Sequence, residues 1–215
     1  VSICHGGAVI GAGNEINGLT LGGVGNGTTM DHIEIFASKD DGIEFFGGSV
    51  NAKYLSVAYV DDDSFDFDQG YNGHLQFLLS IQDENSNRAI EWDGSTESDD
   101  RAADTSTLPG YSNAIISNMT AIGIGVNGTS LHEDSNVGME IRDNAAGQVW
   151  NSIFTEFSKS ILEKVSFDHV LFKKELIKSI RWINTTDAKS LREWCIEMYG
   201  NKYSDIIQQA FETIL

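Results

Sequence analysis

A unit of apolar, acidic, apolar residues returns along most of this chain: Ile43-Glu44-Phe45, Phe65-Asp66-Phe67, Ile90-Glu91-Trp92, Met139-Glu140-Ile141 and, more weakly, Leu162-Glu163-Lys164. The central acids lie 22, 25, 49 and 23 residues apart. A period of this length points to a repeat architecture, in which each unit buries its apolar face only by stacking on the next. A second apolar strand precedes each unit, at Ile33-Glu34-Ile35, Leu55-Ser56-Val57, Phe77-Leu78-Leu79, Ile116 to Met119 and Trp150 to Phe154. Only one such strand lies in the 49-residue gap, which therefore reads as a single coil carrying extra residues. Those extras belong in Ser95–Tyr111, which contains the only proline, and in Gly123–Asn136.

Short strands of period two, separated by Gly, Asn and Asp turns, fit parallel coils. The fixed repeat length and the alignment of residue types from unit to unit argue against an antiparallel sandwich. No six-residue period is present, which disfavours a left-handed hexapeptide helix. The expected fold is an all-β right-handed parallel β-helix over residues 1–164, with a C-terminal α-helical segment over 168–215. Phe45, Phe67, Trp92 and Ile141 are expected to stack inward, one coil spacing of about 4.8 Å apart.

The run EINGLTLGGVGNGTTMDHIEIFASKDDGIEFFGGSVNAKYLSVAYVDDDSFDFDQGYNG resembles bacterial, largely marine β-helix proteins of the pectin-lyase-like superfamily, where stretches like GLTLGGVG…GTT, DDGIEFFGG and DDDSFDFDQG recur. The resemblance covers about Val1 to Ser158. It implies secretion or surface display, often within longer chains, and no established reaction. The chain starts inside a strand-like pattern without a Met, so an N-terminally truncated fragment is expected.

Beyond Lys164 the composition changes. Residues 165–215 carry seven Lys/Arg and seven Asp/Glu, so residues 1–164, with seven basic against 25 acidic side chains, hold the whole net charge of −18. Three apolar stripes read as helices: Phe172/Leu176/Ile180/Ile183, Leu191/Trp194/Cys195/Met198 and Ile207/Ala210/Phe211/Ile214. Ser190 and Glu193 are spaced as a capping box, Gly200 as a stop and Ser204 as a new start. The tail is read as a cap over the last coil, with a small separate helical domain or an oligomerisation element as alternatives. Cys195 shares a stripe and reads as a buried thiol, although a bridge to Cys4 is open.

Strand alternation turns Glu44, Asp66, Glu91, Glu140 and Glu163 away from the core, in one row. Like charges about 5 Å apart repel by roughly 1 kcal/mol per pair in water and about 3 at an effective dielectric of 20. A second row lies in the preceding turns: Asp40 with Asp62, Asp41 with Asp63, flanked by Asp61 and extended by Asp68 and Asp93. Calcium takes hard oxygen ligands of this kind and would relieve the repulsion. The bland alternative is a solvated acidic face screened by salt.

The partners expected are thus cations and, with them, a polysaccharide. An acidic surface excludes nucleic acid, and no apolar run reaches the roughly 18 residues of a membrane span. The resemblance, not any leader in this chain, implies an extracellular or cell-surface location. The reading is a non-catalytic module that binds calcium and a glycan. Its rival is a calcium-dependent lyase for an acidic polysaccharide, which needs a basic residue to remove a proton; basic residues are scarce in the coils, and Arg88 and Arg142 are the candidates for base or sugar-acid clamp. The histidines show no metal-ligand spacing, and Gly22-Gly23-Val24-Gly25 and Gly123-Ile124-Gly125 lack the helix and the Lys-Ser/Thr of a phosphate loop.

Overall fold

The computed structural model describes residues 1–11, 14–94, 111–125, 128–131, 137–143, 145–157, 162, 165–183 and 185–212. Each coil contributes one long and one short strand. The long strands are β1 (Ser2–Cys4), β5 (Met30–Phe36), β7 (Ala52–Ala58), β9 (His74–Ile81), β11 (Asn113–Ile122), β13 (Ala146–Trp150) and β14 (Ile153–Thr155), and they form one sheet in the order β1-β5-β7-β9-β11-β13, with β14 also on β11. The short strands β4 (Leu19–Gly22), β6 (Ile43–Phe46), β8 (Phe65–Asp68), β10 (Ile90–Trp92) and β12 (Glu140–Ile141) form a second sheet in coil order. All pairings in both sheets are parallel. β2 (Ala8–Gly11) and β3 (Asn14–Ile16) make a small antiparallel hairpin.

The register follows the repeat. Ile43, Phe65 and Ile90 are partners, as are Phe45, Phe67, Trp92 and Ile141. Phe45, Phe67 and Trp92 follow one another at 5.3 Å between centroids, the first pair tilted and the second edge-to-face, and Tyr71 closes on Phe45 at 4.5 Å and donates its hydroxyl to the Val50 carbonyl. β10 pairs directly with β12, so the 49-residue interval is one lengthened coil. Much of the lengthening, 95–110, lies outside the described residues, as do 126–127 and 132–136.

β5, β7, β9 and β11 each contain one residue with positive φ, namely His32, Tyr54, Phe77 and Asn118, and Asn151 holds the same conformation between β13 and β14. A side chain in this region is disfavoured, most of all a bulky one. Stacking offsets part of that cost, because His32 lies on Tyr54 at 4.6 Å and Tyr54 on Phe77 at 4.9 Å. Asn118 and Asn151 are joined by a side-chain hydrogen bond. This conformation corrects one expectation of the repeat. Leu78, not Phe77, stands opposite Leu55, and Ser80 stands opposite Val57. Phe77 is therefore exposed, and Ser80 is buried with its hydroxyl bonded to Ser64.

The end of the repeat also differs from expectation. Ile141 keeps its register beside Trp92 but is 47% exposed, with β12 the last described strand of that sheet. Leu162 is buried in the helical core, not on a sheet, and Ile161, Glu163 and Lys164 lie outside the described residues.

The tail forms α1 (His169–Trp182) and α2 (Thr185–Glu212). Asp168 caps α1 by accepting from the backbone N–H groups of Val170 and Leu171, which hold its carboxyl below the usual range. Ser190 starts no helix: it lies inside α2, which also runs through Gly200. The interruption comes at Tyr203, whose φ of −133° leaves the helical region just before Ser204. The three stripes bury largely against one another, with Phe172, Leu176, Leu191, Cys195, Ile207 and Phe211 in a core distinct from that of the coils. Burial pushes the free Cys195 thiol up to about 12; Cys4 is free and exposed. No described helix is long and apolar enough to cross a membrane.

Candidate functional site

The acidic face is built by two columns of the short-strand sheet. Thr20, Glu44, Asp66, Glu91 and Glu140 are register partners in consecutive coils. The sequence neighbours of Glu44, Asp66 and Glu91 are fully buried, so these three face away from the core, and Thr20 and Glu140 extend their register at either end. The second column lies two residues before the first core position of each strand and reads Asn17, Asp41, Asp63, Arg88 and Val137. It is continuous along the backbone. The Asp63 N–H donates to Oδ1 of Asp41 at 3.0 Å, and the Arg88 N–H donates to Oδ1 of Asp63 at 2.6 Å.

Carboxylate oxygens converge in two triads, Asp40/Asp41/Asp62 and Asp41/Glu44/Asp66, each with its oxygens within 4.8 Å of one another. Asp41 belongs to both. Oδ1 of Asp66 is buried and receives no hydrogen bond among the described residues. Burial, then Asp41 and Glu44, raise the Asp66 carboxyl well above the usual range. Burial also raises Asp41, reinforced by Asp62, Glu44 and Asp40 and opposed by the bond from the Asp63 N–H. Burial raises Glu44 to about 7, against a hydrogen bond from the Asn17 amide. Placing these anions out of water without a partner is unfavourable. A bound cation is the direct remedy. The donors are all hard oxygens, and oxygens within 4.8 Å of one another are close enough to share one calcium ion, whose ligands lie at about 2.4 Å.

The remaining acids of the face are engaged differently. Asp61 pairs with Lys39 at 2.7 Å on the exposed side of the turn. Asp63 lies 3.5 Å from Arg88 and is raised chiefly by burial and then by a hydrogen bond with Glu91. Arg88 is 7% exposed and touches three carboxylates from three coils: Asp63 and Glu91 at 3.5 Å and Glu140 at 2.6 Å. Arg142 pairs with Glu91 and, at 2.9 Å, with Asp93. Burial raises Asp93 in spite of that pairing. Asp68 accepts from the Gln69 N–H and lies two residues past Asp66, in the outward row of Phe46.

For both arginines burial lowers the affinity for the proton, yet the surrounding carboxylates outweigh it and raise the pKa above the ordinary guanidinium range. A group held protonated in this way is a counter-ion and a poor general base.

The face thus divides along its length. Arg88 and Arg142 neutralise its later coils, and Asn17 caps its first coil with neutral donors to Glu44 and Thr20. Between them gather Asp40, Asp41, Glu44, Asp62 and Asp66, of which Asp41, Glu44 and Asp66 have no ion pair with Lys or Arg among the described residues. Sequence reasoning overlooked Asn17 and the column position of Arg88. The signal was present in the alignment of INGLT, DDGIE, DDSFD and NRAIE at residues 16, 40, 62 and 87.

The family model described as "Pectate-lyase like beta helix domain" matches residues 1–204, which includes α1 and most of α2. Comparison with curated proteins gives no match, and comparison with solved structures gives none either.

Proposed function

The chain belongs to the pectate-lyase-like β-helix family, and from that premise we propose that its acidic face is a non-catalytic calcium-binding surface of an extracellular or cell-surface module, with a glycan as the further partner. The observation that carries this reading is the buried, unbonded Oδ1 of Asp66 beside the carboxylates of Asp41 and Glu44. Calcium would be held by Asp41, Glu44 and Asp66, and Asp40 and Asp62 complete the set from the neighbouring turn. The ion would neutralise the nest and tie successive coils together. A right-handed winding of the coils accords with the strong preference of parallel crossovers.

The two candidate bases for a lyase, Arg88 and Arg142, are both committed to carboxylates. The experiment is a calcium titration of the full chain by calorimetry, with parallel thermal melts in EDTA and in millimolar calcium. Calcium at 100 times its dissociation constant should add about 2.7 kcal/mol. Coincident melts, or equal stabilisation by sodium chloride, would overturn the calcium reading. Absorbance at 235 nm with a panel of oligouronates should stay flat; growth of an unsaturated product would establish the lyase.

A further inference from the structure

The triad Asp41/Glu44/Asp66 has an equivalent two coils later. Asp41 is replaced in its column by Arg88, Glu44 by Glu91, and Asp66 by Glu140. In the first triad three carboxylates face one another. In the second, the third carboxylate is gone, and a buried guanidinium touches both remaining acids, at 3.5 and 2.6 Å. Arg88 also reaches back to Asp63, so it lies among oxygens of three coils, as a bound ion would.

We infer that Arg88 is a built-in counter-ion that fills the later cation position of the acidic face, so that the residue at this column position sets how many divalent cations the face takes. The inference rests on the calcium reading above and adds its stoichiometry and the residue that fixes it. Two independent observations support it. The Asp66 oxygen left without a donor lies in the coils that precede Arg88. The carboxylates within reach of Arg88 are each paired with a guanidinium. Among the described residues Asp41, Glu44 and Asp66 have no ion pair, whereas Asp63, Glu91 and Glu140 each pair with Arg88.

The test is Arg88→Asp in the full chain, which restores at residue 88 the residue type found at 41 and 63. Calorimetric titration with calcium chloride should give one ion for the wild-type chain and two for the variant. Because Arg88→Asp adds repulsion, it is prepared in calcium, and Arg88→Gln serves beside it. In EDTA the Gln variant should melt below the wild type, and calcium should raise its melting temperature by more than it raises the wild type's. Equal ion counts, together with equal calcium increments for Arg88→Gln and wild type, would overturn the inference. If the wild type binds no calcium and Arg88→Asp binds one, the role of Arg88 stands and the native calcium site falls. If neither binds, both fall.

Discussion

The Asp63 N–H donates to Oδ1 of Asp41, so a carboxylate of one coil is tied to the backbone of the next. The same carboxylate belongs to both triads, with Asp40 and Asp62 on one side and Glu44 and Asp66 on the other. The acids of this face are therefore part of the coil stacking as well as of a surface. Changing their charge should alter stability and ion binding together.

Stability without calcium should fall as pH rises. A carboxyl whose folded pKa lies above its unfolded value stabilises the fold while protonated, and the contribution is lost as pH rises through the folded pKa. For Glu44 the window runs from 4.5 to about 7, and its share is roughly 2 kcal/mol after allowing for its partial exposure. Asp41, Asp63 and Asp66 act in the same direction. Melts in EDTA from pH 5 to 8 should decline, and saturating calcium should flatten the decline. A rise with pH in EDTA would contradict the burial of these groups.

Asp66→Asn should have opposite signs in two buffers. In EDTA it removes a repelled charge and should raise stability by about 1 kcal/mol. In calcium it removes a ligand, and the melting temperature should fall below that of the wild type. Chemical denaturation in both buffers reads the two signs directly. Equal shifts would mean that Asp66 touches no ion.

Gly147→Ala should strain the core at Trp92. A Cβ at Gly147 would lie 2.0 Å from the Trp92 ring, which is fully buried. Overpacking of this kind costs about 1–3 kcal/mol. A lowered melt with a changed near-ultraviolet signal is expected, and an unchanged melt would show that the ring has room to shift.

Leu176→Ala should weaken the helical tail by about 2–5 kcal/mol and leave calcium affinity unchanged. Leu176 is buried among the helices, in a cluster separate from the core behind the acidic face. Distant sites without shared partners act additively. Calorimetric unfolding with a calcium titration of the same sample measures both, and a loss of affinity would reveal coupling between the two cores.

The coil period, the inward aromatic stack and the outward acids were legible because alternation in a strand has a period of two and the units align by residue type. Less legible was the slip at Phe77. Its left-handed backbone turns an apolar side chain outward, and the buried Ser64–Ser80 bond hides a polar residue inside. The cap at Ser190 failed because α2 already begins at Thr185, which leaves Ser190 inside the helix. At the site, residue types revealed the anions, and only the register revealed which of them a guanidinium already serves.

The long insertion enters between two anchored points. Asp93 donates its N–H to the Phe67 carbonyl, and the Ser112 hydroxyl donates to the Asp93 carbonyl at 2.5 Å while accepting from the Gly70 N–H. The two ends of the insertion are thus clamped to each other and to the preceding coil. Loop length adds little closure entropy once the ends are fixed. The seam between Asp93 and Ser112 is accordingly a splice port: cargo peptides of quite different lengths could be grafted there while the coils on either side keep their register.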